Sequence, residues 1–177
     1  MKKQWMIVSM LVCVLVLFQG CYNPPPPTTT QPEFIVQIGV AKQMYKVGET
    51  VVFTVQASRD CYLTLYDFST EGEVTQIFPN KYAQDNYIRG SYQYRIPDQA
   101  DTFDFEITGP AGIEKVRAIA TVENVNLVEE EKIDRTEQFP RIYQEQSGEF
   151  SKSVDEKLQV MPSERWAEAS VSFQIVP

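Results

Sequence analysis

Histidine is absent from this 177-residue chain, and cysteine occurs only three times. Without imidazole, the usual base for activating a serine or cysteine nucleophile is missing. Neither a nucleophile motif nor a glycine-rich phosphate loop is present, which argues against those hydrolase and nucleotide-binding classes. Positive charge is scarce too: 16 Lys and Arg face 24 Asp and Glu, for a net −8. A surface of that sign repels polyanions, so no nucleic-acid partner is expected. Long apolar runs are also lacking. The longest, Trp5 to Phe18, has 14 residues, short of the roughly 18 that a membrane-spanning helix needs.

What the N-terminus does contain is a basic start (Lys2, Lys3), that short apolar run, and Gly20 directly before Cys21. This is the layout of an export signal. The stretch Phe18-Gln19-Gly20-Cys21 resembles the bacterial lipoprotein lipobox, with Gly20 and Cys21 matching and Gln19 departing from the small residue usual there. The resemblance implies cleavage between Gly20 and Cys21 and a diacylglyceryl group on the Cys21 sulfur. Only a thiolate supplies the nucleophile for that modification. Each buried methylene contributes about 0.8 kcal/mol, and two or more chains give a lasting anchor. The alternatives are an ordinary secretory signal with an incidental cysteine, and an uncleaved anchor.

Residues 21–32 then read as a tether. Five of the chain's 11 prolines lie between Tyr22 and Pro32, four of them contiguous at Pro24 to Pro27. Proline favours the extended polyproline form, so this segment spans on the order of 30 Å at about 3.1 Å per residue. The residue after the lipidated cysteine is Tyr22 rather than an inner-membrane-retaining aspartate. Resemblance to Gram-negative lipoproteins therefore points to the outer membrane, facing the periplasm or the cell surface.

The division that follows is a lipoprotein signal (1–20), a lipidated cysteine with its tether (21–32) and one domain (33–177). Loss of residues 1–20 removes Lys2 and Lys3 and no acid, taking the net charge from −8 to −10. Cys13 leaves with the signal and Cys21 is acylated, so Cys61 stands alone without a disulfide. It reads as a small buried hydrophobe.

The domain alternates with period two, the mark of half-buried strands. Phe34, Val36, Ile38 and Val40 share one face of "EFIVQIGVA", and Val51, Phe53 and Val55 share one of "TVVFTVQA". "CYLTLYDF" sets Cys61, Leu63 and Leu65 against Tyr62, Tyr66 and Phe68. Further on, "TFDFEIT" aligns Phe103, Phe105 and Ile107, and "EASVSFQIV" aligns Ala169, Val171, Phe173 and Ile175. Gly48 marks a turn, and "STEG" (69–72) and "GPAG" (109–112) read as hairpin loops. Seven or eight short strands with such turns predict a mainly β fold, an antiparallel immunoglobulin-like β-sandwich. Between Val128 and Val160 the pattern changes. Glu129 to Glu131 read as a solvated loop, and Phe150, Val154 and Leu158 at helical spacing predict one short helix near the C-terminus, packed on the sandwich edge. No calcium-loop spacing of oxygen ligands occurs, so neither a metal nor a cofactor is expected.

From Met44 to Asp98 the chain resembles a bacterial family, domain of unknown function 4384. The residues that carry it are "YKVGETVVFTV" (45–55), "DCYLTLYDFSTEGEVTQIFPNKY" (60–82) and "NYIRGSYQYRIPD" (86–98). "GPAGIEKVRAIAT" and "ERWAEASVSFQIV" resemble its ending. The resemblance implies a binding or sensing module of secreted proteins and lipoproteins, with no catalytic residues to carry over. In Phe78-Pro79-Asn80, proline stops ladder donation and asparagine bonds its own backbone to close a turn.

The crossover that follows supplies a candidate ligand surface: Tyr82, Tyr87, Arg89, Tyr92 and Tyr94. Tyrosines among hydrogen-bonding groups suit a glycan or peptide. The plainer alternative makes Tyr92, Tyr94 and Ile96 one more core-facing strand. The expected function is a non-catalytic envelope module that meets a membrane through Cys21 and binds cell-wall glycan or an envelope protein. A sensor or assembly subunit of an envelope complex shares those features. A carboxylate-dependent glycan-acting enzyme is the third reading, and it requires two buried acids facing one pocket.

Overall fold

The structure is a computed structural model that describes residues 33–142 and 147–177. Gly20, Cys21 and the tether lie outside the described residues. Strands form where the two-residue alternation runs: β1 (Val36–Val40), β2 (Met44–Lys46), β3 (Thr50–Val51), β4 (Phe53–Ala57), β5 (Cys61–Phe68), β6 (Val74–Phe78), β7 (Tyr87–Ile88) and β8 (Gln93–Ile96). They continue with β9 (Phe105–Glu106), β10 (Gly112–Thr121), β11 (Ile133–Asp134) and β12 (Arg141–Ile142). Helix α1 (Ser147–Gln159) and β13 (Trp166–Val176) complete the chain.

Among the described residues the fold is mainly β, in three sheets. β1, β4 and β8 form a small antiparallel sheet, and β3 pairs with β9. The large sheet runs β11-β12-β6-β5-β10-β13-β2, with β7 taking a place beside the start of β5. Phe34, Val36, Phe53, Val55 and Ile96 from the small-sheet side share one core with Cys61, Leu63, Leu65, Val116, Ala118 and Phe173 of the large sheet. Alternation lets one face of each of these strands contribute to that shared cluster.

The large sheet is apolar on both faces at its centre. On β10 every residue from Val116 to Thr121 is buried. The second face carries Tyr66, Phe68 and Ile119, covered by Phe150, Val154 and Leu158 of α1. Phe150 meets Tyr66 edge-on at 4.9 Å between ring centroids. Each such apolar side chain contributes about 1.5–3 kcal/mol on burial. Arg117, on the same face, reaches Asp155 of α1 at 2.5 Å and Glu168 of β13 through Nε at 2.8 Å. Burial works against the guanidinium charge, but the two carboxylates outweigh it and hold its pKa above the ordinary value.

Several expectations are corrected. The helix lies over interior strands rather than on the sandwich edge, because Tyr66, Phe68 and Ile119 need cover there. The sheets are not wholly antiparallel: β2 runs parallel to β13. "GPAG" is no hairpin loop, since β9 pairs with β3 while β10 pairs with β5 and β13. "TFDFEIT" keeps its alternation, with Phe103 and Ile107 buried, yet only Phe105–Glu106 finds a ladder partner. The turn readings at Gly48 and "STEG" agree with the structure. Gly48 has φ +87° and Gly72 φ +83°, and the Ser69 and Glu73 backbones close the β5–β6 hairpin at 3.0 Å.

Candidate functional site

The inward face of β5 runs Cys61, Leu63, Leu65, and its next member is Asp67. On β10 the same face runs Val116, Ala118, Ala120 in one direction and Glu114 in the other. Asp67 pairs with Val116 across the ladder, so the two acids are diagonal neighbours where the apolar stripes of adjacent strands end together. Their side chains are near enough for each to shift the other's ionisation. Oδ1 of Asp67 is sealed from solvent and has no hydrogen-bond partner among the described residues.

The two carboxyls line a cavity of about 350 Å³, walled by Phe53, Phe105, Phe139 and Phe173. Phe103, Phe105 and Phe139 pack against one another with centroids 5.4–5.9 Å apart. The hairpin that closes β5 to β6 brings Glu71 and Glu73 to the cavity, β9 brings Glu106, and β12 brings Arg141. Arg141 Nη2 sits 3.3 Å from Glu73. Burial pushes the Asp67 carboxyl well above the ordinary carboxylate range, and the neighbouring charge of Glu114 adds to this. Burial raises Glu114 as well. Two neighbouring carboxyls in a poorly solvated place oppose each other's ionisation, so the pair is harder to deprotonate fully than two free carboxyls.

The crossover tyrosines fall into separate surroundings. Tyr82 is exposed and stacks on Phe103 at 6.3 Å, beside the phenylalanine cluster of the cavity. Tyr87 donates its hydroxyl to Asp60 at 2.8 Å and meets Tyr62 edge-on. Arg89 is exposed, and its backbone N–H donates to the Tyr94 hydroxyl at 2.8 Å. Tyr94 is half-buried against the main core, whereas Tyr92 is exposed in the turn before β8. The strand face thus comprises Tyr94 and Ile96 without Tyr92. Asn80 behaves as its motif suggests. Its Oδ1 accepts from the Tyr82 and Ala83 N–H groups at 2.9 Å, and its Nδ2 donates to the Ile77 carbonyl.

Cys61 is buried and free, and burial followed by the Asp60 charge pushes its thiol up to about 12. It is a packing residue, as its setting in β5 implied. Sequence reasoning missed Asp67 and Glu114. The signal available was an acid at an inward register position on each of two apolar strands. Which strands lie side by side was not written in that pattern.

Residues 44–124 match the family DUF4384, a domain of unknown function. The match runs from β2 through β10 and so includes both Asp67 and Glu114, while α1 and β13 lie beyond it. No curated protein matches the chain. Among the described residues, no helix is long and apolar enough to cross a membrane.

Proposed function

We propose that this protein is a non-catalytic binding module of a bacterial cell envelope, held at a membrane by lipid on Cys21. Its ligand site is the acid-floored, phenylalanine-walled cavity, and its body is an immunoglobulin-like sandwich. The observation that carries this reading is the cavity itself: concave, lined by phenylalanines and acids together, with two neighbouring carboxyls of perturbed pKa among them. The shared core between the small and large sheets supports the sandwich, and the Cys21 seam supports the anchor. Resemblance to Gram-negative lipoproteins, with Tyr22 after Cys21, supports an outer-membrane address facing periplasm or exterior. The expected partner is a wall component or an envelope protein.

One observation favours a second reading. Two acids do face one cavity, and a pair sharing one proton is an acid–base couple that some hydrolases use. Glycoside hydrolysis, however, needs carboxyls about 5 Å or more apart, with the sugar or a water between them. Asp67 and Glu114 are diagonal neighbours on adjacent strands that perturb each other's ionisation, a closer arrangement than a pair set apart around a sugar or a water. Binding is the better use of this geometry.

The test is ligand-observed NMR on the full chain in a non-ionic detergent, against a library of small envelope constituents: amines, amino sugars, wall peptides and polyols. The binding reading expects saturable ligands that are recovered unchanged and are lost on filling the cavity with Thr75→Trp. Release of a reaction product would contradict it, as would a library with no ligand sensitive to the filling.

A further inference from the structure

We infer that the cavity takes a primary ammonium group carried on a short apolar stem, with the N–H donors meeting Asp67 and Glu114 and the stem lying against the phenylalanines. This rests on the cavity being a binding site and adds the chemical class of what it binds.

Three observations converge on that class. The sealed Oδ1 of Asp67 has no donor among the described residues, and a buried acceptor left so is costly. The missing partner is therefore an N–H or O–H donor, which excludes carboxylates and phosphates as the deeply placed group. Among the described residues the cavity carries five acids, Asp67, Glu71, Glu73, Glu106 and Glu114, against the single cation Arg141, itself paired with Glu73. A cation is favoured over a neutral donor. Among the described residues, no group of three His, Cys, Asp or Glu side chains is placed to hold a metal ion, so an organic cation fits better than an inorganic one.

The walls narrow the choice again. Phenylalanine faces attract cations and cover alkyl stems. A quaternary ammonium would satisfy the rings and the charge but has no N–H for Oδ1, whereas a primary ammonium has three. A cavity of about 350 Å³ is in the range that holds a small molecule or one side chain. Two sources present the same chemistry: a free amine, or a lysine side chain of a partner protein.

An arriving ammonium favours two ionised carboxylates, so a proton held by the pair leaves to solvent as the ligand binds. No covalent bond changes. Binding then tightens as pH rises through the raised pKa of the pair. Glu71 and Glu73 of the hairpin, Glu106 of β9 and Arg141 of β12 surround the pair and set the background field.

Isothermal titration calorimetry on the full chain in non-ionic detergent tests this, with n-pentylamine, tetramethylammonium, pentanoate and N-acetyl-lysine methylamide as probes. Pentylamine should bind saturably and release a proton, visible as a buffer-dependent heat. Asp67→Asn, which keeps the shape and cannot ionise, should weaken it by about tenfold or more, a change of roughly 1.4 kcal/mol. Arg141→Gln, which removes a positive charge from the lining, should tighten it. Tighter binding of the lysine probe than of pentylamine identifies a partner's lysine as the source, and the reverse identifies a free amine. Equal binding of pentylamine by wild type and Asp67→Asn overturns the inference, as does tetramethylammonium or pentanoate binding as well as pentylamine. If other library ligands fill the cavity while amines do not, the ammonium class falls and the binding-module reading stands. If nothing is sensitive to the filling substitution, both fall.

Discussion

The guanidinium of Arg117, buried in the outer face of the large sheet, lies 2.5 Å from the Asp155 carboxylate of α1. Glu168 on β13 holds the same guanidinium from the neighbouring strand. Helix and sheet are thus tied at a point where the cation is covered and its two anions are each nearly half exposed. Asp155→Ala or Glu168→Ala alone leaves one carboxylate to pair with it and should cost about 1 kcal/mol or less. The double variant strands a buried charge and should cost about 3–5 kcal/mol, more than the two singles combined. Urea denaturation of all three variants measures this. Additive singles would mean that water reaches the guanidinium.

Gly90 and Gly48 serve different purposes. A Cβ on Gly90 would stand 2.4 Å from the Arg59 Cα and 2.6 Å from its carbonyl carbon, and backbone cannot swing aside. Gly90→Ala should lower stability by about 1–3 kcal/mol through overpacking. It should also loosen the 2.8 Å bond from the Gly90 N–H to Asp60. At Gly48 a Cβ meets open space, but φ is +87°. Gly48→Val should cost about 1–3 kcal/mol through backbone strain alone. Gly48→Asn should recover much of that, since asparagine tolerates positive φ. If asparagine proves as damaging as valine in chemical denaturation, the cost lies in a contact and not in φ.

How far these features could be read in advance depends on their range. Gly48, the "STEG" hairpin and the Asn80 turn are local, set by turn chemistry within a few residues, and the sequence shows them. The helix stripe Phe150, Val154, Leu158 is likewise local. Where that stripe docks is not, because it depends on Tyr66, Phe68 and Ile119 meeting on one sheet face from two separate strands. The parallel β2–β13 pair joins opposite ends of the domain, and no turn announces it. The acid pair is intermediate. Asp67 and Glu114 each break an apolar alternation, which the sequence displays, but only strand order makes them neighbours. The tyrosine-rich crossover drew notice by composition, yet its side chains divide between the Phe103 stack, the Asp60 cluster and the core.

Lipid on Cys21 predicts that native material purified from membranes starts at residue 21. Mass spectrometry should find that residue heavier by a diacylglyceryl group, with or without an added acyl chain. Cys21→Ala should move the protein to the soluble fraction, since one or more acyl chains supply the anchoring energy. A native chain beginning at Met1, or an unmodified thiol at position 21, would remove the envelope address. The cavity and its chemistry would be unaffected.

Both carboxyls of the acid pair have folded-state pKa values raised above the ordinary range, chiefly by burial. The folded state therefore keeps a proton that the unfolded chain releases near pH 4. By linkage, stability is lost as pH climbs from that range through the raised value of the pair. Asp67→Asn cannot ionise, so it should flatten this slope and melt higher than wild type at pH 7. An unchanged slope in thermal melts from pH 4 to pH 8 would place the proton elsewhere.

The most direct measurement is a carbon-13 NMR titration of the Asp67 and Glu114 side-chain carboxyls in the full chain. A cavity floored by two carboxyls that oppose each other's ionisation predicts two coupled signals, one proton persisting above the ordinary carboxylate range and lost when pentylamine is added. Two independent carboxyls, both ionised by about pH 5 and indifferent to the amine, would contradict it.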